Sequence, residues 1–248
     1  MFDLTGRKAL ITGAGQGVGE GIACRLARAG AAVAINDLHE ERARAVAERV
    51  EADGGRAIAA PFDVVDHAAV TDGIAAVESA IGSLDILVNN AGVPEGMGVQ
   101  LFRESDPQAW RPSIDVNLFG VMNCSRAVIN GMCERKHGRI VTISSGAGTV
   151  GLNIGVSAYA AGKGGGISFM RHLALETARQ GVTANTLAIG MIDNHADLSV
   201  TKHLAETIPV GRLGQPEDIA ALCSYLVSDE ASWMTGQTIA LNGGSVTT

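Results

Sequence analysis

Lys8-Ala9-Leu10-Ile11-Thr12-Gly13-Ala14-Gly15-Gln16-Gly17-Val18-Gly19 decides how the chain folds. A short apolar strand runs into a glycine turn, and Ile22, Ala23, Leu26 and Ala27 then recur at helical spacing. Strand, turn and helix start together make an anion site, because the first amides of a helix lack carbonyl partners and its dipole is positive there. Gly13, Gln16, Gly17, Val18 and Gly19 are therefore candidate contacts for the pyrophosphate of a dinucleotide. Their spacing is T-G-x-x-x-G-x-G, not the commoner G-x-G-x-x-G.

The alternation of strand and helix continues outward from this turn. Ala32 to Asn36 reads as a second strand ending at Asp37, about 20 residues past the glycines, where a carboxylate can accept from ribose hydroxyls. Such a carboxylate repels the 2′-phosphate of NADP, and the next residues, Leu38, His39 and Glu40, include no Arg or Lys. NAD is favoured, although Asp37 as cap of the helix from Glu40 is compatible with either dinucleotide. Ala43, Val46, Ala47 and Val50 carry that helix to Asp53, Gly54-Gly55 ends it, and Arg56 to Phe62 forms a third strand. Asp63 and Val64 follow at the same sheet edge. Asp66 caps the next helix, with Val70, Ile74, Val77 and Ile81 on one face, and Leu84 to Val88 is the fourth strand. Strands alternating with helices specify a parallel sheet covered on both faces.

Arg139 to Ser144 is another apolar run, so the Ser145 hydroxyl falls at the carboxyl end of a buried strand, the edge where open α/β sheets bind ligands. Tyr159 and Lys163 follow, four positions apart on one helical face, so the ammonium favours phenolate over phenol. From its usual pKa of about 10, the phenol needs a depression of roughly two to three units to act as a base near neutrality. Taken alone, Y-x-x-x-K is more often an exposed helix that happens to carry both residues. The serine and the glycine turn reverse that reading.

Together T-G-x-x-x-G-x-G, Asn89-Asn90-Ala91-Gly92 and Ser145 with Tyr159-x-x-x-Lys163 resemble the short-chain dehydrogenase/reductase family, over nearly the whole chain. The resemblance implies one α/β domain over residues 1–248, a doubly wound Rossmann-like sheet of seven parallel strands in order 3-2-1-4-5-6-7. The dinucleotide site is expected mainly in 8–92, the catalytic segment in 106–166 and a variable substrate lid at about 191–208. The implied reaction is hydride transfer between a nicotinamide and a secondary alcohol or ketone. Tyr159 is the implied acid/base, Ser145 binds the substrate oxygen, and Lys163 serves both the tyrosine and the nicotinamide ribose. Asn117 would hold a water relaying protons from Lys163, where a helical Asn read alone is more often an interhelical hydrogen bond. Asp63 would contact adenine, with turn chemistry as the plainer alternative, and Leu38, Val64, Asn90, Ala91 and Gly92 would line the cofactor. The nearest alternative is an NADPH-dependent reductase of 3-oxoacyl thioesters, disfavoured by the missing basic residue after the second strand. A non-catalytic dinucleotide sensor would not need Asn117, Ser145, Tyr159 and Lys163 together.

One stretch departs from the family's pattern. Pro-Gly, with Thr four residues after the Gly, is replaced by Ile189-Gly190-Met191-Ile192-Asp193-Asn194. Gly190 still permits close approach to nicotinamide, Ile192 lies beside it, and Asn194 could stand in for the threonine on the carboxamide. Elsewhere, Pro112 should kink the helix carrying Trp110, Ile114 and Leu118, and Gly164-Gly165-Gly166 costs helix propensity that only close packing offsets.

A net charge of −7 argues against nucleic acid, which requires a basic face. No apolar run approaches the roughly 18 residues of a membrane span, and the N-terminal residues give no signal-peptide core, so a cytoplasmic protein is expected. Six scattered histidines offer no metal-ligand spacing, and Cys24, Cys124, Cys133 and Cys223 read as reduced core residues. Specificity is expected in Val93 to Phe102, Gly151 to Ala158 and Asn194 to Thr207, and a homotetramer acting on a small alcohol or ketone is the implied assembly.

Overall fold

Strand β1 (Lys8–Ile11) is apolar along its length, as a central parallel strand must be, because helices cover both faces. Its pleat sends Ala9 and Ile11 into one core and Leu10 into the other. The next strand, β2 (Ala32–Ile35), divides likewise, with Val33 and Ile35 opposed to Ala34. The computed structural model describes residues 2–193 and 198–247; the expected contact Asn194 lies outside them.

The sheet is completed by β3 (Arg56–Ala59), β4 (Ile86–Asn89), β5 (Gly138–Ser145), β6 (Val182–Ile189) and β7 (Thr238–Leu241). All pairs are parallel and the order is 3-2-1-4-5-6-7, as expected from the sequence. One core lies under α1 (Gly17–Arg28), α2 (Glu40–Ala52) and a C-terminal helix over Pro216–Leu226. The opposite core lies under α3 (His67–Ile81) and the helices of 120–134 and 157–177. Asp66 caps α3 as read, accepting from the amides of Ala68 and Ala69.

Two boundaries differ from the sequence reading for visible reasons. β3 stops at Ala59, because the buried Asn36 carboxamide takes over, donating to Ala60 O at 3.0 Å and Phe62 O at 2.9 Å. β6 extends to Ile189, where it pairs on both sides, with Ser145 and with Leu241. Among the cysteines, Cys124 and Cys223 are buried core residues, whereas Cys24 and Cys133 are only partly buried; all four are free thiols.

The helix expected to kink at Pro112 is irregular elsewhere. Pro112 is the third residue of α4 (Trp110–Ile114), a first-turn position that proline tolerates. The break is a π turn over Asp115–Phe119, from which α5 (Gly120–Glu134) continues. Against this break lies α6 (Ser157–Thr177), and its glycines face the contact. A Cβ on Gly162 would stand 2.7 Å from Ser113 O and 3.0 Å from Asn117 Cβ; one on Gly166 would stand 3.0 Å from Asn117 O. The low-propensity run is thus explained by helix packing within the chain. The lid segment carries α7 (Leu198–Glu206), and α8 is the C-terminal helix, Pro216–Leu226.

These distances set a balance of two opposing terms for Gly162→Ala. Helix propensity returns about 1 kcal/mol, while forcing a methyl into a filled contact costs typically 1–3 kcal/mol. The substitution is expected to destabilise the protein by about 1 kcal/mol in urea unfolding. An unchanged or raised midpoint would mean that α6 is not held this close.

Candidate active site

The chain leaves β1 for β2 on one side and returns to β4 on the other, and a cavity of about 640 Å³ opens between the two carboxyl ends. Gly13, Gln16, Gly17 and Val18 line its floor. Gln16 gives no side-chain bond to the first turn of α1, so the amides of that turn are left for a ligand. Gly17 has φ +58, in the left-handed region, which puts the turn at the mouth of the helix. Gly19 lies behind the cavity wall, where a Cβ would stand 2.4 Å from Gly13 O. It serves the turn itself.

Asn90 ties that turn to β4. Its side-chain amide donates to Thr12 O at 3.0 Å and Gly13 O at 2.9 Å, while Thr12 Oγ1 accepts from the amides of Asn90 and Ala91. Asn90, Ala91 and Gly92 form the wall on this side. Leu38, Asp63 and Val64 line the far end, and Asp63 Oδ1 also accepts from Val65 N at 2.9 Å, the turn contact weighed above.

Asp37 sits at the end of β2, 6% exposed, accepting from Gly15 N at 3.1 Å and His39 N at 3.0 Å. Two residues not singled out from the sequence stand beside it. Arg42, in the first turn of α2, lines the same end of the cavity, and its guanidinium has no partner among the described residues. His39 Nε2 meets Glu95 Oε1 at 2.8 Å, joining the loop after β2 to the loop after β4. Helical periodicity from Asp37 could have pointed to Arg42, one turn on; nothing local could have paired His39 with Glu95.

Three of the expected catalytic residues converge directly. Lys163 is buried, and its ammonium donates to Ile143 O at 2.7 Å while standing 5.7 Å from the centre of the Tyr159 ring. Burial brings its pKa down to about 7. Burial, outweighing the opposing influence of the neighbouring Ser145 hydroxyl, pushes the Tyr159 phenol up. The phenolate expected from the lysine alone is therefore not what this chain's own groups favour. Ser144, the neighbouring hydroxyl, donates to Lys163 O at 3.3 Å and lines the cavity, whereas Ser145 is not among the lining residues.

Asn117 is the fourth. The π turn directs its amide inward, where it donates to Gly92 O and Ser113 O, both at 2.8 Å. Its carbonyl Oδ1 is buried without a protein partner among the described residues. A Cβ on Gly92 would lie 2.7 Å from that Oδ1 and 2.5 Å from Lys163 Nζ, so the two atoms share one small space. An acceptor facing an ammonium in this way suits a bridging water.

The departure after β6 looks different in place. Ile189 lines the cavity, but Gly190 does not; a Cβ there would strike Asn242 Cα at 2.8 Å, so chain packing accounts for the glycine. Ile192 forms a bridge with Gly214 and also lies outside the lining. No helix among the described residues is long and apolar enough to cross a membrane, and no cluster among them could hold a metal ion.

Comparison with known proteins agrees with this geometry. The family model for short chain dehydrogenase matches residues 7–205. A hydroxy(phenyl)methylsuccinyl-CoA dehydrogenase subunit of Thauera aromatica is 38% identical over 242 residues, 96% of either chain. A 3-oxoacyl-acyl-carrier-protein reductase of Escherichia coli is 37% identical over 247 residues, 98% of either chain. Among solved structures, a gluconate 5-dehydrogenase from Burkholderia cenocepacia, in complex with NADP and tartrate, superposes with a TM-score of 0.91 at 36% identity. That match covers 98% of this chain and 96% of the other. With the glycine turn, Asn90, Tyr159 and Lys163 in one cleft, the chain belongs to the short-chain dehydrogenase family of oxidoreductases.

Proposed function

We propose that the protein interconverts a secondary alcohol and a ketone with NAD(H), residues 1–248 acting as one domain. The observation that carries this is the buried Lys163, hydrogen-bonded to Ile143 O at 2.7 Å and 5.7 Å from the centre of the Tyr159 ring, with the Ser145 hydroxyl beside that phenol. The cleft fits a nicotinamide dinucleotide: first-turn amides of α1 for the pyrophosphate, Asp37 for the ribose, and Lys163 within reach of the second ribose. When bound, that cofactor supplies the hydride or accepts it.

In the reductive direction Ser145 hydrogen-bonds the carbonyl oxygen and Tyr159 gives it a proton as charge develops there. Burial holds the tyrosine in the protonated form that this step needs. Lys163 returns a proton toward the tyrosine, and a water accepted by Asn117 Oδ1 would resupply it. Oxidation runs the same path backwards and needs a phenolate, which a positive charge beside the ring favours. Asp37 supports NAD over NADP; a homotetramer in the cytoplasm belongs to the same reading, with the solvent-exposed Trp233 beside the edge strand β7 as apolar surface that assembly would cover. A second reading, NADPH-dependent reduction of 3-oxoacyl thioesters, has one specific observation in its favour: Arg42 is a cation within the cofactor cleft.

Tyr159→Phe is expected to lower kcat by about 10²–10⁴-fold, while NADH fluorescence titration shows unchanged binding. A variant near wild-type rates would refute the role.

Asp37→Ala is expected to narrow the NAD preference about tenfold, close to 1.4 kcal/mol. If Arg42 then receives the 2′-phosphate, adding Arg42→Ala abolishes the gain; kcat/KM ratios for the two cofactors decide. An unaltered ratio in Asp37→Ala would place the selection elsewhere.

The Lys163 ammonium, with its folded pKa lowered to about 7 from 10.5, carries a pH signature. Between these values the unfolded chain binds the extra proton, so this group's contribution to stability rises with pH across that window. The stability difference between Lys163→Met and the cofactor-free parent is expected to shift in favour of the parent from pH 7 to pH 10. Parallel urea midpoints across the range would mean that the amine is not desolvated.

A further inference from the structure

Residues 93–99, the stretch that follows Gly92, reach the rest of the chain through one polar contact. Asn117 holds Gly92 O before the stretch, and Gly155 O accepts from Gln100 N at 2.9 Å after it. Between these anchors Met97 N donates to Pro94 O, within the stretch itself, and Val93 and Val99 are exposed. Among the described residues, the one hydrogen bond or ion pair from this stretch to another element joins Glu95 Oε1 to His39 Nε2, at 2.8 Å.

The two partners stand on opposite walls of the dinucleotide cleft. His39 follows Asp37 and Leu38 beyond β2, Glu95 follows Gly92 beyond β4, and all five residues line the cavity. In the sheet β2 and β4 flank β1, whose glycine turn is the cavity floor. Side chains that meet from the two flanks of β1 therefore cross over whatever lies on that turn. Exposure fixes the side on which they cross. The Glu95 side chain is 73% exposed and that of His39 31%, so their contact faces solvent and the cavity lies behind it.

The His39 end is anchored. Its amide donates to Asp37 Oδ1 at 3.0 Å and its carbonyl accepts from the amides of Arg42 and Ala43, so the backbone is held and the ring is the part free to swing. A carboxylate only accepts, so the ring carries its proton on Nε2 and donates to Glu95. His39 Nδ1 stands 3.8 Å from Glu41 Oε1, beyond hydrogen-bond range, which leaves Glu95 as the ring's tether. An exposed pair of this kind favours its closed arrangement by at most about fivefold. It slows passage without sealing the cleft.

We propose that His39 and Glu95 form a strap over the dinucleotide cleft, that the strap parts to admit and to release the cofactor, and that this pair sets the rate of cofactor exchange. The proposal rests on the dinucleotide-dependent reading above and adds to it the step by which the cofactor enters and leaves.

The test is a double-mutant cycle on exchange kinetics. The reduced dinucleotide that the parent binds more tightly, NADH or NADPH, is mixed with the parent, His39→Ala, Glu95→Ala and the double variant at about 0.15 M ionic strength. Stopped-flow nicotinamide fluorescence gives the association rate, and a chase with excess oxidised dinucleotide gives the dissociation rate. Each single variant is expected to raise both rates by about two- to fivefold, with Kd within about twofold of the parent. The double variant is expected to exchange no faster than either single one. Additive effects would mean that each side chain touches the cofactor independently, and faster association alone would mean that Glu95 only repels the pyrophosphate. Either result overturns the strap, as do unchanged rates in all three variants, and each leaves the oxidoreductase reading standing because the cofactor still binds. A parent that binds neither NADH nor NADPH would sink that reading and the strap with it.

Discussion

The crosslink between Thr12 and Asn90 is the constraint on which the site depends. A parallel sheet that reverses its winding direction leaves a crevice between two strand ends, and nothing in the strand pairing fixes the loops beyond it. Here the Asn90 amide bonds both carbonyls of the turn after β1, and the Thr12 hydroxyl accepts from two amides after β4. Four hydrogen bonds thereby join the glycine turn to the wall that carries Gly92. Gly92 in turn accepts from Asn117, so the clamp extends to the side of the cleft that holds Lys163. The two sides of the cleft are parts of one hydrogen-bonded frame.

The frame was legible in the sequence because each part is local. Apolar runs of four residues between glycine turns and periodic helices admit few arrangements other than a doubly wound sheet. Ser145, Tyr159 and Lys163 were legible for the same reason, since a strand end and one helical face determine where they emerge. What escaped the reading depends on distant pairs. The His39 to Glu95 contact joins positions 56 apart. Asn36 ends β3 from a neighbouring strand, and the π turn at Asp115–Phe119 has no marker in composition, whereas Pro112, the conspicuous residue, sits where it costs nothing. Gly190, read for close approach to a ligand, also packs against Asn242, a contact the local sequence does not show.

Charge shows the same division between residue type and placement. A Tyr and a Lys on one helical face imply mutual stabilisation of phenolate and ammonium when both are solvated. Burial adds a term that sequence spacing does not contain, and here it acts on both groups, raising the phenol and lowering the amine. The pair is thus pushed toward its neutral forms. Neutral tyrosine is a proton donor, and the phenolate form needs a further positive charge beside the ring.

The depth of that burial goes back to glycine. Gly162 and Gly166 let α6 approach α4 and the π turn until a methyl group would not fit, and Lys163 lies between them in sequence. Larger residues would hold α6 away, opening the amine to water and raising its pKa toward the usual lysine value. They would also separate Lys163 from Asn117 Oδ1, the acceptor it faces across Gly92. Roughly 1 kcal/mol of helix propensity is given up at each glycine, and what it secures is an electrostatic setting at Tyr159 that propensity alone would never select.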